Sequence, residues 1–332
     1  MSSRRTFLHA LGISCAAAPL AVPWPAKAQL PPKPPRVGVI WFGGAKDPFA
    51  SRYIGLLRQR LRELGYTEGK SILIDEYYAE GDPQRLNELA RELVAAKVDI
   101  IVATSLAPAV AARQATTTIP IVMLHAGDPI GAGLIVSLAR PGGNVTGTMN
   151  LPLGGKVVEL MHEILPRMRK LAVLTNPTNV GQRTALAITA DAARSFGIDL
   201  MVAEVSRDED FPSAYAKIRQ ARADGLLVFV EPLIGKHRPE FLEFAARDRL
   251  PVGTDNGQTA KSGGLVSYGP LFSEHYLLGA VYVDKILKGA KPADLPIAQP
   301  ARFEMIINMK TARALGLKIP QSVLLRADEV IE

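Results

Sequence analysis

Cysteine is nearly missing from this 332-residue chain: the only one, Cys15, lies in the first thirty residues. No disulfide can staple the remainder, so stability must come from buried apolar area. Aromatic residues make up 6% of the sequence, with two tryptophans, which makes an aromatic pair at a strand end conspicuous. Beyond the N-terminal segment no hydrophobic run approaches the roughly 20 residues that span a bilayer, so no membrane span is expected in the body. Polybasic blocks are missing as well. Of 39 Lys and Arg residues, Arg4, Arg5 and Lys27 fall in the first 28 positions, leaving 36 against 32 acids. That dispersed, mild balance lacks the clustered basic face of a nucleic-acid binder. HExxH, CxxC and GxSxG do not occur. Gly69-Lys70-Ser71 has Leu64 where a phosphate loop needs glycine, and Gly127, Gly131 and Gly133 miss dinucleotide spacing. His125, His162, His237 and His275 lack metal-ligand spacing. The expectation is a protein with no catalytic residues, no metal and no cofactor.

The N-terminus pairs a basic start, Arg4-Arg5, with an apolar stretch from Ala10 to Val22 and small residues in Ala26-Lys27-Ala28. This is the pattern of a secretory signal peptide over residues 1–28, cleaved after Ala28. Paired arginines followed by Thr6-Phe7-Leu8 match the twin-arginine address, an ordinary Sec signal being the alternative. Both routes leave the cytoplasm, and the periplasm is the expected destination. Residues 29–35, rich in proline, read as a linker.

From Arg36 onward short apolar runs alternate with amphipathic stretches. Val37 to Trp41 reads as a strand, Ile54, Leu57, Leu61 and Leu64 as a helix face, Ser71 to Tyr77 as a strand, Leu86, Leu89 and Leu93 as a helix, Asp99 to Ala103 as a strand, Ala107 to Gln114 as a helix and Ile119 to Leu124 as a strand. The order resumes with strands at Leu171 to Thr175, Asp199 to Ala203, Gly225 to Val230 and Leu250 to Gly253. Alternation of this kind predicts an α/β fold of two Rossmann-like, doubly wound lobes. Gly-rich segments around Arg140 to Thr148 and Ser262 to Gly269, together with a strand near Arg302 to Asn308, supply three hinge crossings. The predicted division is residues 36–147 plus 269–298 for lobe 1 and 148–268 plus 299–332 for lobe 2.

In open α/β sheets ligands bind beyond the carboxyl ends of the strands. That rule selects Trp41 and Phe42, Thr104 and Ser105, and His125 to Asp128 in lobe 1, Asn150 after the first crossing, and Asn176, Thr178, Glu231, Asp255 and Asn256 in lobe 2. Thr104 and Ser105 open a helix, where hydroxyls and free N–H groups suit a carboxylate. Glu231 and Asp255 suit an ammonium, so the pattern fits a zwitterion. Trp41 and Phe42 offer a stacking face. Asp128, in Gly127-Asp128-Pro129-Ile130-Gly131, is also placed to fix its own loop as an Asx-turn acceptor.

Five segments carry a resemblance: Leu61-Arg62-Glu63-Leu64-Gly65-Tyr66, Gly127 to Gly131, Leu138 to Gly147, Tyr282 to Pro296, and Ala327-Asp328-Glu329-Val330-Ile331. In this order, over Arg36 to the C-terminus, the chain resembles the ABC transporter substrate-binding family, whose better-known members bind tryptophan or other aromatic amino acids. The resemblance implies a type I periplasmic binding protein fold, a monomer that closes on a small molecule, and permease and ATPase partner subunits encoded elsewhere. A periplasmic sensor that presents its closed form to a signalling receptor is the alternative.

Overall fold

The computed structural model describes residues 33–332. The expected signal peptide, its cleavage site, Cys15 and most of the linker lie outside the described residues. Structure begins with β1 (Arg36–Trp41), α1 (Pro48–Glu63), β2 (Leu73–Tyr78), α2 (Pro83–Ala95), β3 (Ile100–Ala103), α3 (Leu106–Ala115), β4 (Ile121–Ala126) and β5 (Val145–Met149). These strands form one parallel sheet in the order β2-β1-β3-β4-β5. Successive residues of a strand point to opposite faces. Ile40, Ala103 and Met123 therefore meet α2 and α3 on one side, while Val39, Val102 and Leu124 meet α1 on the other. Coverage of both faces explains why β3 reads Ile-Ile-Val-Ala with no polar residue. Asp47 and Asp82 start α1 and α2: each carboxylate accepts a first-turn N–H, and Pro48 and Pro83 occupy the position where a missing N–H is harmless.

The second half continues with α4 (Gly154–Ile164), β6 (Lys170–Thr175), α5 (Val180–Ser195), β7 (Asp199–Glu204), α6 (Phe211–Ala221), β8 (Gly225–Val228), α7 (Pro232–Lys236), α8 (Arg238–Arg247), β9 (Val252–Thr254), α9 (Gly257–Lys261) and β10 (Val266–Pro270). It ends with α10 (Phe272–Leu287), β11 (Phe303–Asn308), α11 (Met309–Leu315), α12 (Gln321–Leu324) and β12 (Glu329–Ile331). Seven strands pair in the order β12-β11-β10-β9-β8-β6-β7, and only β10 with β11 runs antiparallel. Helix α10 leaves this sheet and buries Tyr276, Ala280 and Val283 against Val37 and Leu124 of the first sheet and Ile54 of α1. The chain thus passes between the sheets after β5, after β10 and before β11. The fold is α/β with two lobes.

Several element bounds shift by two residues, β2 and β9 among them, and three changes bear on the site or the core. Pairing of β8 stops at Val228 rather than Val230, which frees Phe229 and Val230 for the loop that carries Glu231. Strand β4 starts two residues later than read, because Pro120 has no N–H to donate; its carbonyl still accepts from Ile101 N at 2.9 Å. It also runs on to Ala126, which puts His125 at the strand end. Helix α4 escaped the sequence reading although Val157, Leu160, Met161 and Ile164 recur at helical spacing and are buried in the second lobe. Among the described residues no helix is long and apolar enough to cross a membrane.

Candidate functional site

The carboxyl ends of the parallel strands of both sheets border a cavity of about 1100 Å³ and a smaller neighbour of about 200 Å³. Ser105, His125, Asn150, Glu231 and Asp255 line both. Five side chains from five separate strand ends therefore share one focus, three from the first sheet and two from the second.

Ser105 precedes α3 in extended conformation, φ −165° and ψ −177°, and makes no side-chain cap. Its hydroxyl is buried and has no hydrogen-bond partner. The first N–H groups of a helix have no intrahelical acceptor, so Leu106 and Ala107, which line the smaller cavity, add donors beside it. Thr104 is different: its hydroxyl donates to Ile40 O at 2.8 Å and ties β3 to β1. The predicted pair divides into a free hydroxyl at Ser105 and a committed one at Thr104. Asn150 Oδ1 is likewise buried without a partner.

His125 takes φ +39°, a left-handed value uncommon outside glycine. The β4–β5 register slips between Met123 and Ala126, and Thr148 Oγ1 accepts the His125 N–H at 3.0 Å. Burial and the neighbouring His275 push the His125 pKa down to about 3, and burial takes His275 to about 4. Both imidazoles are neutral at pH 7.

Glu231 starts α7, with Oε1 accepting from Ile234 N at 3.0 Å. Burial raises its pKa, partly offset by that bond and by the Asn176 side chain. Asp255 follows β9, and burial pushes its carboxyl up to about 6 against the backbone bonds that favour the anion. No basic side chain contributes to either shift. Strand β10 passes so near that a Cβ on Gly269 would lie 1.7 Å from Asp255 O; only glycine fits there.

An aromatic wall completes the larger cavity. Trp41 Nε1 donates to Asp47 Oδ2 at 3.1 Å, while Asp47 Oδ1 accepts from Phe49 N at 2.9 Å. Phe42 lines the same space. Tyr53 and His125 both contact Phe272, with ring centroids 4.9 and 4.4 Å apart. From the second lobe, the Arg238 guanidinium lies 5.2 Å from the Phe49 ring centre.

Asp128 and Asn176 stand apart. Asp128 borders only the smaller cavity, and both its oxygens are engaged, Oδ1 by Gly131 N at 2.8 Å and Oδ2 by Thr184 Oγ1 at 2.7 Å. It holds a turn and reaches α5 of the other lobe. Beside it, a Cβ on Gly181 would lie 2.9 Å from the Gly127 backbone. Asn176 lines neither cavity; its Oδ1 accepts from Thr178 N and Oγ1 at 3.0 and 2.7 Å, and it serves as a neighbour of Glu231. Thr178 is likewise absent from both walls, whereas Asn256 borders the larger cavity and caps α9. Sequence reasoning missed Phe49, Tyr53, Phe272 and Arg238. All four lie in helices, beyond the first loop residue at which the strand-end rule stops.

Comparison with known proteins gives this geometry a family. Residues 46–331 match the model of the ABC transporter substrate binding protein family. A curated relative, the tyrosine-binding protein of Clostridioides difficile strain R20291, is 29% identical over 259 residues, 78% of this chain and 74% of the relative. Among solved structures, a conserved domain protein from Vibrio cholerae O1 biovar El Tor superposes with a TM-score of 0.85 at 29% identity, covering 90% of this chain and all of that one. An ABC domain from Streptococcus pneumoniae in complex with L-Trp does so with the same TM-score and coverage at 26% identity. The chain belongs to the family of ABC transporter substrate-binding proteins.

Proposed function

We propose that this chain is the exported receptor of an ABC importer and captures an amino acid, with aromatic side chains preferred, by closing its lobes. The observation that carries this reading is the polarity of the shared focus. On one side stands a buried, unpartnered Ser105 hydroxyl at the start of α3; on the other stand Glu231 and Asp255, two partly buried carboxylates without a basic partner. A carboxylate suits the first and an ammonium the second. Trp41, Phe42 and Phe49 then face the side chain. The tyrosine-binding relative and the L-Trp complex support the aromatic preference. Residues 1–28 direct export to the periplasm by the twin-arginine route, and the closed monomer docks on a permease driven by an ATPase.

Thermal denaturation against the twenty amino acids and simple aromatic carboxylates tests the reading. A ligand at 100 times its Kd adds about 2.7 kcal/mol of stability, a clear rise in Tm. Stabilisation by aromatic amino acids but not by their decarboxylated or deaminated analogues is expected. A Tm unmoved by every amino acid refutes the proposal.

A further inference from the structure

The lining of the larger cavity includes a cation that the proposed amino-acid head group does not use. Arg238, the first residue of α8, lines the cavity and is partly buried. Its Nε donates to Thr259 Oγ1 at 3.1 Å, which turns the guanidinium toward the first lobe and over the Phe49 ring. It forms no ion pair among the described residues. Asp47 is the acid whose charge reaches it, yet both Asp47 oxygens are already committed, one to the Trp41 indole and one to the N-terminus of α1. Burial accordingly pulls the Arg238 pKa below its ordinary value.

Guanidinium is donor-only, with five N–H groups in a planar fork. One is spent on Thr259, and the terminal NH2 groups of the guanidinium, which lines the cavity 5.2 Å from the Phe49 ring centre, have no hydrogen-bond acceptor among the described residues. A partly desolvated donor fork in the wall of an aromatic-lined space favours a ligand that brings an oxygen acceptor to it. It penalises one that ends in C–H, because the donors are then left unpaired. We propose that Arg238 is a specificity-determining residue, selecting amino acids whose aromatic ring ends in a hydroxyl or carboxylate oxygen over those that end in hydrogen. The proposal rests on the amino-acid reading above and names the part of the ligand that reading leaves open.

The test is isothermal titration of the full mature chain with L-tyrosine, 4-carboxy-L-phenylalanine and L-phenylalanine. The wild type should bind the first two at least about tenfold more tightly than the third, the scale of one charge-assisted hydrogen bond. Arg238→Met keeps the long apolar stem over Phe49 and removes every donor. It should bring all three within about threefold of one another, with tyrosine and 4-carboxyphenylalanine weakened and phenylalanine bound no more weakly than by the wild type. Arg238→Lys keeps a charge without the fork and should retain part of the preference, provided circular dichroism shows both variants folded. Phenylalanine bound by the wild type as tightly as tyrosine overturns this assignment and leaves the amino-acid reading standing. Equal weakening of all three ligands by Arg238→Met also overturns it, making Arg238 a strut across the cleft. No binding of any amino acid to the wild type defeats both readings together.

Discussion

Asp255 illustrates how the burial of a single residue ties stability to pH. Burial raises its pKa from 3.8 to about 6, so the folded protein holds this proton more tightly than the unfolded chain does. A group of that sign favours the fold at low pH. Its contribution is lost as pH rises from about 4 through about 6, since the native state then carries a desolvated, unpaired charge. The ligand-free protein with Asp255→Asn should therefore melt higher than wild type at pH 7 and no higher at pH 4, a comparison made by calorimetry at the two values. Binding runs the opposite way. An ammonium needs the carboxylate ionised, so wild-type affinity should fall about tenfold between pH 7 and pH 5. His125 and His275, at about 3 and about 4, stay neutral across that window and do not obscure the effect. Affinity that is flat with pH in the wild type, or that falls as steeply in the Asn variant as in the wild type, removes Asp255 from the ammonium site; a shallower residual fall belongs to Glu231, whose pKa burial also raises. Gly269 supports the same residue from behind. Gly269→Ala would place a Cβ 1.7 Å from Asp255 O and should weaken binding more than tenfold by displacing the carboxylate. Titration of that variant at unchanged affinity would show that β10 yields instead.

At the level of the element, the start of α3 sets a committed hydroxyl, Thr104, beside a free one, Ser105. A serine that caps a helix contributes about 1 kcal/mol, which its replacement by alanine removes. Ser105 makes no cap bond, and its hydroxyl has no partner. Ser105→Ala should therefore shift Tm little while weakening binding of the carboxylate-bearing ligand several-fold. Loss of a degree-scale Tm with unchanged affinity would identify an ordinary cap. Why these elements were legible, and where legibility stopped, has a physical basis. Strands covered on both faces read as apolar runs, so β1, β3, β6 and β8 stand out of the sequence, and the rule that ligands lie beyond their ends points to Ser105, Glu231 and Asp255 directly. The rule says nothing of which donors are already spent. Thr104 and Ser105 look alike in sequence, yet only the β1–β3 packing shows that the Thr104 hydroxyl already donates its hydrogen bond to Ile40 O. Asp128 and Asn176 sit at correct strand ends but face loop and neighbour rather than the larger cavity. Arg238 opens α8, whose apolar Phe241, Leu242, Phe244 and Ala245 are readable as a helix face, but the strand-end rule stops before it.

Across the whole molecule, the proposed closure would depend on whether the two lobes can approach closely at one edge of the cleft. Gly127, after β4, and Gly181, in the first turn of α5, meet backbone to backbone, and the Thr184 hydroxyl donates to Asp128 Oδ2 at 2.7 Å across the same gap. These contacts join the lobes without belonging to the core of either, so they should act on the open-to-closed equilibrium rather than on folding. A Cβ on Gly181 would sit 2.9 Å from the Gly127 Cα and carbonyl carbon, backbone atoms that cannot turn aside. Gly181→Ala should hold the lobes apart, leave the ligand-free melting temperature nearly unchanged and weaken binding about tenfold or more. Thr184→Val keeps the volume and removes the hydrogen bond; at about 1 kcal/mol for such a bond, the loss in affinity should be about fivefold. Small-angle scattering at saturating ligand gives the decisive reading. The wild type should contract on binding, and Gly181→Ala should contract less at full occupancy. Identical contraction and affinity in both would mean that this edge merely touches in the closed form, leaving closure to be driven by the ligand head group between Ser105 and Asp255.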